Sequence, residues 1–404
     1  MYLMKEPMHK QSFIELSAAA FNYNIEHIKQ AAGGSQVALV LKSNGYGHGL
    51  RECALFAKHN PDIAWTCTGS ISEALQVYPI VPEKPILVLY SLDNSFEEAI
   101  AKNIHLTVQT LEDLHAINAT ARVLGTPAFV HIKIDTGMSR LGIIPEEAFS
   151  FIQEMRSLSH VILYGIHTHL GDTANQNQTF SYLQLQRFDD FLAALESAGI
   201  HIPCTHALSS SGLAIKPLRT YSLVRAGAFA YGIWKSERHK QLVLQQHPTF
   251  DLEPVLEWKA PIISLKTIKQ GDVVGYDRTF TAERTTKVAI VPIGYAEGYP
   301  RALSNKKDIA LLNDHPISVA GLVSMNLTAF DVTDVPHVSI QDSIVLLGGK
   351  SNASINACAQ AAGIISNEIA VSLSSRVQRV IREELFPTQL VNDQAVKNTF
   401  ALHI

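Results

Sequence analysis

Lys42 ends the apolar run of "ALVLKSNGYGHG" and is followed at once by Asn44, Tyr46 and His48, interleaved with Gly45, Gly47 and Gly49. An ammonium at the edge of an apolar strand loses hydration, which lowers its pKa and favours the neutral amine that Schiff-base chemistry requires. Closely spaced glycines let the backbone approach a bound group. For an isolated lysine the ordinary explanation is a side chain that snorkels to water beside a glycine turn, so the rest of the chain has to decide. Further polar residues end other apolar runs: the stretch Lys133 to Arg140, His167 with His169, His206 with Ser209 to Ser211, and Arg225.

The runs that carry these residues alternate with amphipathic stretches of helical period, as parallel βα units do. Between residues 37 and 234 there are eight: "VALVLKS", "WTCTGS", "PILVLYS", "HLTVQT", "FVHIKID", "ILYGIHTHL", "THALSSS" and "LVRAGAFAYG". Eight repeats predict an α/β chain built on a TIM-like (β/α)8 barrel, in which the C-terminal strand ends form the site. After about residue 245 successive strands separated by Gly, Asn and Asp turns predict a C-terminal β-rich domain. The expected boundaries are 12–245 for the barrel and 246–390 for the β domain. The early strand near 12–17 is expected to pack on the later domain.

Bulk composition narrows the function. The 404 residues are 47% hydrophobic and 17% charged, with a net charge of −4 and no lysine or arginine stripe, which disfavours nucleic acid and anionic membrane as partners. A small-molecule ligand fits better. Cys53, Cys67, Cys204 and Cys358 have no metal-like or CxxC spacing, so no metal site and no disulfide framework is expected. No apolar run has signal-peptide or membrane-spanning length, and the expected location is cytoplasmic.

Eight motifs in order, "LKSNGYGHG", "KIDTGMSRLG", "IHTHLGD", "HALSSSG", "LVRAGAFAYG", "VGYDRTFTA", "VPIGYAEGYPR" and "VSMNLTAFDVTD", resemble those of the alanine racemases. The likeness covers roughly residues 12 to 385. It implies a pyridoxal 5'-phosphate enzyme with a barrel followed by a β domain, interconverting L- and D-alanine as a homodimer with shared active sites, in D-alanine supply for peptidoglycan or in its catabolic counterpart. By resemblance Lys42 binds the cofactor covalently and serves as one catalytic base, while Tyr276 of the partner subunit serves as the other. Inverting a stereocentre by proton exchange needs such a pair on opposite faces of the α-carbon. The cofactor contacts implied are Tyr46, Ser210, Gly227 and Ala228 around the phosphate, Arg225 facing the pyridine nitrogen, and His169 supporting the tyrosine. Arg140 and the backbone N–H of Met325 match the groups that clamp the substrate carboxylate, Lys133 matches a lysine that can carry a carbamate beside that arginine, and Tyr295 and Arg301 match entrance residues.

The chain departs from the family pattern near its end. A tyrosine usually precedes "RVPR", whereas here "SLSSRVQR" places Ser375 there, which implies a wider entrance admitting serine, lysine or arginine as substrates. Asn326 stands where aspartate is common and Ser209 where asparagine is common. Two rival readings share the fold: a decarboxylase of basic amino acids, disfavoured by Arg225 because an acidic partner is expected there, and a non-catalytic cofactor carrier, disfavoured by Tyr276 and Met325.

Overall fold

A computed structural model describes residues 11–93, 96–217 and 219–382; the last eight residues of the expected second domain, 383–390, lie outside the described residues. The first strand, β1 (Phe13–Leu16), is followed by a helix, Ala18–Ala31, capped by Ser17, whose Oγ accepts from the Ala20 N–H. Eight strands come next: β2 (Gln36–Val40), β3 (Ile63–Ser70), β4 (Ile86–Ser91), β5 (His105–Val108), β6 (Ala128–Lys133), β7 (Val161–His167), β8 (Cys204–His206) and β9 (Leu223–Ala226).

They form one parallel sheet in the order β8-β7-β6-β5-β4-β3-β2-β9. The ends meet across β8 and β9, where the Ser222 and Arg225 N–H groups donate to the Thr205 and Leu208 carbonyls and Ser209 bridges Arg225. A (β/α)8 barrel results, nearly closed, as the alternating runs predicted.

The strand period of two sends alternate side chains inward. One apolar part of the lumen holds Ala38, Val40, Trp65, Cys67, Leu87, Cys204 and Leu223. The rest is unusually polar: His105, His131, Lys133, His167, His206 and Arg225 are all buried. Branched aliphatics are the common filling of such barrels. Here imidazoles and a guanidinium take part of that space.

Past the barrel the chain forms β10 (Leu256–Pro261), β11 (Ser264–Ile268), β12 (Val273–Val274), β13 (Phe280–Thr281), β14 (Thr286–Val291), β15 (Ala310–Leu312), β16 (His315–Val319), β17 (Thr328–Asp331), β18 (Ser343–Gly348) and β19 (Gln378–Ile381). Nine strands make a second sheet in the order β11-β14-β17-β16-β15-β18-β10-β1-β19, while β12 and β13 pair as a separate ribbon. The first strand of the chain is therefore a member of the last sheet, antiparallel to β10 and parallel to β19. Among the described residues, several contacts tie the second unit to the barrel. Asn24 receives the Glu253 N–H on its Oδ1 at 2.7 Å and donates from Nδ2 to the Glu253 carbonyl at 2.8 Å, and Arg379 on β19 donates to the Gly47 carbonyl at 2.9 Å. The second contact reaches the loop that carries Lys42.

Candidate active site

Lys42 lies two residues beyond β2, at the C-terminal mouth of the barrel. The chain then makes a left-handed turn, with φ of +55°, +54°, +59° and +52° at Ser43, Asn44, Gly45 and Tyr46. L-residues disfavour this region by roughly 1–2 kcal/mol each, so the turn persists only because its surroundings hold it. Glu73 does much of that: Oε1 accepts from the Ser43 N–H at 2.8 Å and Oε2 from the Gly69 N–H at 2.7 Å. Asn44 Oδ1 accepts from the Leu50 N–H at 2.8 Å. The expectation of a strand-end lysine beside a glycine turn thus becomes a specific strained turn that aims Lys42 and Tyr46 at the lumen.

A cavity of about 480 Å³ opens there. Its wall includes Lys42, Tyr46, Lys133, Arg140, His169, Ser210, Arg225, Gly227 and Ala228. Those nine residues were predicted from motifs scattered over 187 positions, and the barrel mouth brings them together. His167, Ser209 and Ser211 also line it. Sequence reasoning missed Tyr90, which ends the run "PILVLYS" and so carried the same strand-end signal as Lys42. It also missed Asn367, which comes from the helix Ser366–Ser372 of the second unit and has no local signal. Tyr276 and Met325 stand elsewhere, at 70% and 56% exposure on the surface of the chain.

The electrostatics suit an amine nucleophile. Burial, then the nearby Arg140 and Arg225 charges, hold the Lys42 pKa below that of a free lysine, against a smaller opposing effect of Glu73. Lys133 is lowered to about 8, first by burial and then by Arg225 and Arg140. Burial raises Tyr46 to about 12, so its hydroxyl keeps its proton and donates. His169 falls to about 3 through burial and the Arg225 charge, and its ring is neutral at ordinary pH.

One side of the cavity could hold a phosphate. Ser210 Oγ accepts from the Gly227 N–H at 2.8 Å, which leaves its O–H free to donate outward. Gly227 has no side chain to spare: an ideal Cβ there would stand 2.5 Å from Tyr46 Oη. Protonated Tyr46, the Ser210 hydroxyl and the Ala228 N–H form a set of neutral donors beside Gly227, whose own N–H holds Ser210 in place and whose missing Cβ leaves the cradle open. Arg225 lies deeper, and its NH1 and NH2 donate to His206 Nδ1 at 2.5 Å, the Thr168 carbonyl at 2.8 Å and His169 Nδ1 at 3.3 Å. A desolvated amine, a set of neutral donors and a buried guanidinium in one barrel mouth are groups that could hold pyridoxal phosphate.

Fold and site together define a (β/α)8-barrel enzyme with a polar cavity at the barrel mouth and a β-sheet unit appended. The family models described as alanine racemase, N-terminal domain, and alanine racemase, C-terminal domain, match residues 16–234 and 255–381. Among curated relatives, the alanine racemase of Methanococcus maripaludis is 32% identical over 91% of this chain and 97% of its own, and that of Syntrophobacter fumaroxidans is 34% identical over 90% and 95%. Among solved structures, alanine racemase from Clostridium difficile superposes with a TM-score of 0.85 at 27% identity, covering 93% of this chain and 96% of that one. The enzyme from a D-cycloserine-producing Streptomyces lavendulae gives 0.85 at 28%, covering 94% and 99%. The chain belongs to the alanine racemase family. No described helix is long and apolar enough to cross a membrane.

Proposed function

We propose that the chain interconverts L-alanine and D-alanine, with pyridoxal 5'-phosphate held by Lys42, Tyr46, Ser210, Arg225, Gly227 and Ala228. The observation that carries this reading is the convergence of a desolvated Lys42 and a neutral-donor phosphate cradle on one cavity in a chain of this family. When bound, pyridoxal phosphate withdraws electrons from the α-carbon of an attached amino acid and makes its hydrogen acidic. Lys42, whose pKa burial lowers, accepts or returns that proton at Nζ on one face.

The opposite face is assigned to Tyr276 of a second copy, so the enzyme acts as a homodimer with shared sites. Tyr276 Oη then carries the second proton. His169 is suited to support it: Arg225 donates to Nδ1 of a neutral ring, which puts the remaining proton on Nε2, where it can donate to a phenolate oxygen. Arg225 is lowered by burial only to about 10 and stays charged at neutral pH, so beside the ring nitrogen of a bound cofactor it would leave that nitrogen unprotonated. Arg140, with the Met325 N–H of the second copy, takes the substrate carboxylate. Lys133 sits near enough to influence it electrostatically, and its lowered pKa supplies the neutral amine that a carbamate requires.

The substrate preference includes side chains larger than methyl, because Ser375 is exposed and offers no aromatic wall. Incubation of the purified enzyme with L-alanine in deuterated water tests the reading. Racemisation gives α-deuterated alanine and loss of optical rotation; release of carbon dioxide with an amine, or recovery of unlabelled L-alanine, refutes it.

A further inference from the structure

Arg225 is buried at 4% exposure, yet none of the five acceptors around it is a carboxylate. Three are the carbonyls of His206, Thr168 and Ala207, and two are the Nδ1 atoms of His206 and His169. A buried cation without a counter-ion is costly unless oriented dipoles replace its hydration. His206 does not end the contact. Its Nε2 lies 3.3 Å from His131 Nδ1, and His131 Nε2 lies 3.1 Å from His105 Nδ1.

The line runs through the lumen from the start of β5, across β6 and the end of β8, to β9. Sequence separations of 26 and 75 residues join these three histidines, and closure of the barrel makes them neighbours. Room is reserved for the middle ring: a Cβ at Gly165 on β7 would collide with His131 Nδ1. The far ring is stacked on Phe129 at 5.0 Å and meets Tyr164 edge-on at 4.6 Å, while His206 stacks face to face on His167 at 4.6 Å.

A guanidinium only donates, so Arg225 fixes the direction of the whole line. His206 Nδ1 accepts and its proton stands on Nε2; that proton is donated to His131 Nδ1, and the Nε2 proton of His131 goes to His105 Nδ1. We propose that His105, His131 and His206 form a polarised imidazole chain whose acceptor ends all face Arg225, positioning the guanidinium and compensating its burial in place of a carboxylate. Hydrogen bonds in such a line polarise one another. Three neutral rings solvate the charge without cancelling it, so a net positive charge remains at the cavity, where a carboxylate would have neutralised it.

Burial keeps all three rings neutral, in agreement with this arrangement. His131, Cys204 and His206 also bring three possible metal ligands within 4.8 Å of one another. A metal on neutral His206 through Nε2 would need the ring proton on Nδ1, which faces the Arg225 donor, so the geometry favours the hydrogen-bonded chain over an ion.

The catalytic consequence rests on the reading that Arg225 faces the cofactor; the proton positions do not. Heteronuclear NMR of the holoenzyme with isotope-labelled histidine should show His206, His131 and His105 as neutral rings protonated on Nε2. A proton on Nδ1 of His206 or His131 overturns the chain whatever the activity of the enzyme. His131→Leu, which breaks the line, should lower kcat about tenfold with little change in KM and move the cofactor absorbance band, and His131→Asn, which again offers an acceptor and a donor, should recover most of both. Should the leucine variant not fold, His105→Phe keeps the aromatic stacking and removes only the last acceptor, with an expected loss in kcat of about twofold. Variants that lose melting temperature alone, with kcat, KM and absorbance unchanged, reduce these histidines to packing and overturn the proposal.

Discussion

Tyr46 Oη occupies the space that a side chain at residue 227 would need, 2.5 Å from an ideal Cβ on Gly227. The hydroxyl is held there from behind, because the Tyr46 ring stacks on Tyr231 at 5.2 Å and Tyr231 donates to the Val40 carbonyl at 2.8 Å. Gly227→Ala therefore pushes one phosphate donor off its position while leaving the fold intact. Cofactor affinity should fall about tenfold, or about 1.4 kcal/mol, in a titration followed by absorbance, with an unchanged circular dichroism spectrum.

Sharing of sites between copies makes a quantitative expectation. Lys42→Ala and Tyr276→Phe should each lower racemisation by about a thousandfold or more, since each removes one proton carrier. Unfolded and refolded together in equal amounts, the two inactive variants should recover up to about a quarter of wild-type activity, because half the dimers are mixed and each mixed dimer has one complete site. No recovery on mixing would place Tyr276 outside the reaction.

Acid should destabilise the chain in a defined window. His48 and His105 are each lowered by burial to about 4, whereas in the unfolded chain they take a proton near 6.5. The unfolded state then binds more protons than the native state below pH 6.5, so stability is fully present above that pH and is lost as pH falls toward 4. Melting temperature should be flat between pH 7 and 8 and drop between pH 6.5 and 4. His105→Phe should flatten that drop; an unchanged slope would mean that His105 is not buried neutral.

Lys133 works in the alkaline range with the same sign. Its amine is lowered from 10.5 to about 8, so the unfolded chain holds a proton that the native chain lacks between those values, and stability rises with pH across that interval. Below pH 8 the penalty is complete. In carbonate-free buffer Lys133→Met should raise the melting temperature by ~2 °C at pH 7 and by progressively less toward pH 10. Added bicarbonate should raise the wild-type value at pH 8 and leave the methionine variant unmoved, which tests the carbamate.

Ser375 sets the last expectation. It is exposed on the segment before β19, at the position where the family resemblance puts an entrance tyrosine. Relative kcat/KM for serine, lysine and arginine against alanine should fall about tenfold in Ser375→Tyr. Equal ratios in the two enzymes, or negligible turnover of all three by the wild type, would show that this position does not select substrates.

The eight barrel strands could be read from the chain because buried parallel strands are short apolar runs between amphipathic helices, and both patterns are local. Strand-end polarity likewise marked Lys42, Lys133, His169 and Arg225 as facing the mouth. The resemblance supplied their roles. Local pattern did not reveal the left-handed turn at Ser43 to Tyr46, because Glu73, which holds it, lies thirty residues away and is bonded to it only in the fold. Nor did it reveal Asn367 at the cavity, since an element of the second unit supplies it.

What the amino-acid order determined by itself is therefore which segments become strands and helices and which residue types crown the barrel, since periodicity and turn chemistry act over a few residues. The tertiary structure decided which of those residues meet. His105 and His131 are unremarkable strand positions in a linear chain, and His206 and Arg225 only end separate apolar runs; the four become a hydrogen-bonded line because barrel closure turns alternate side chains from four strands into one lumen, where a buried charge must find dipoles to replace water.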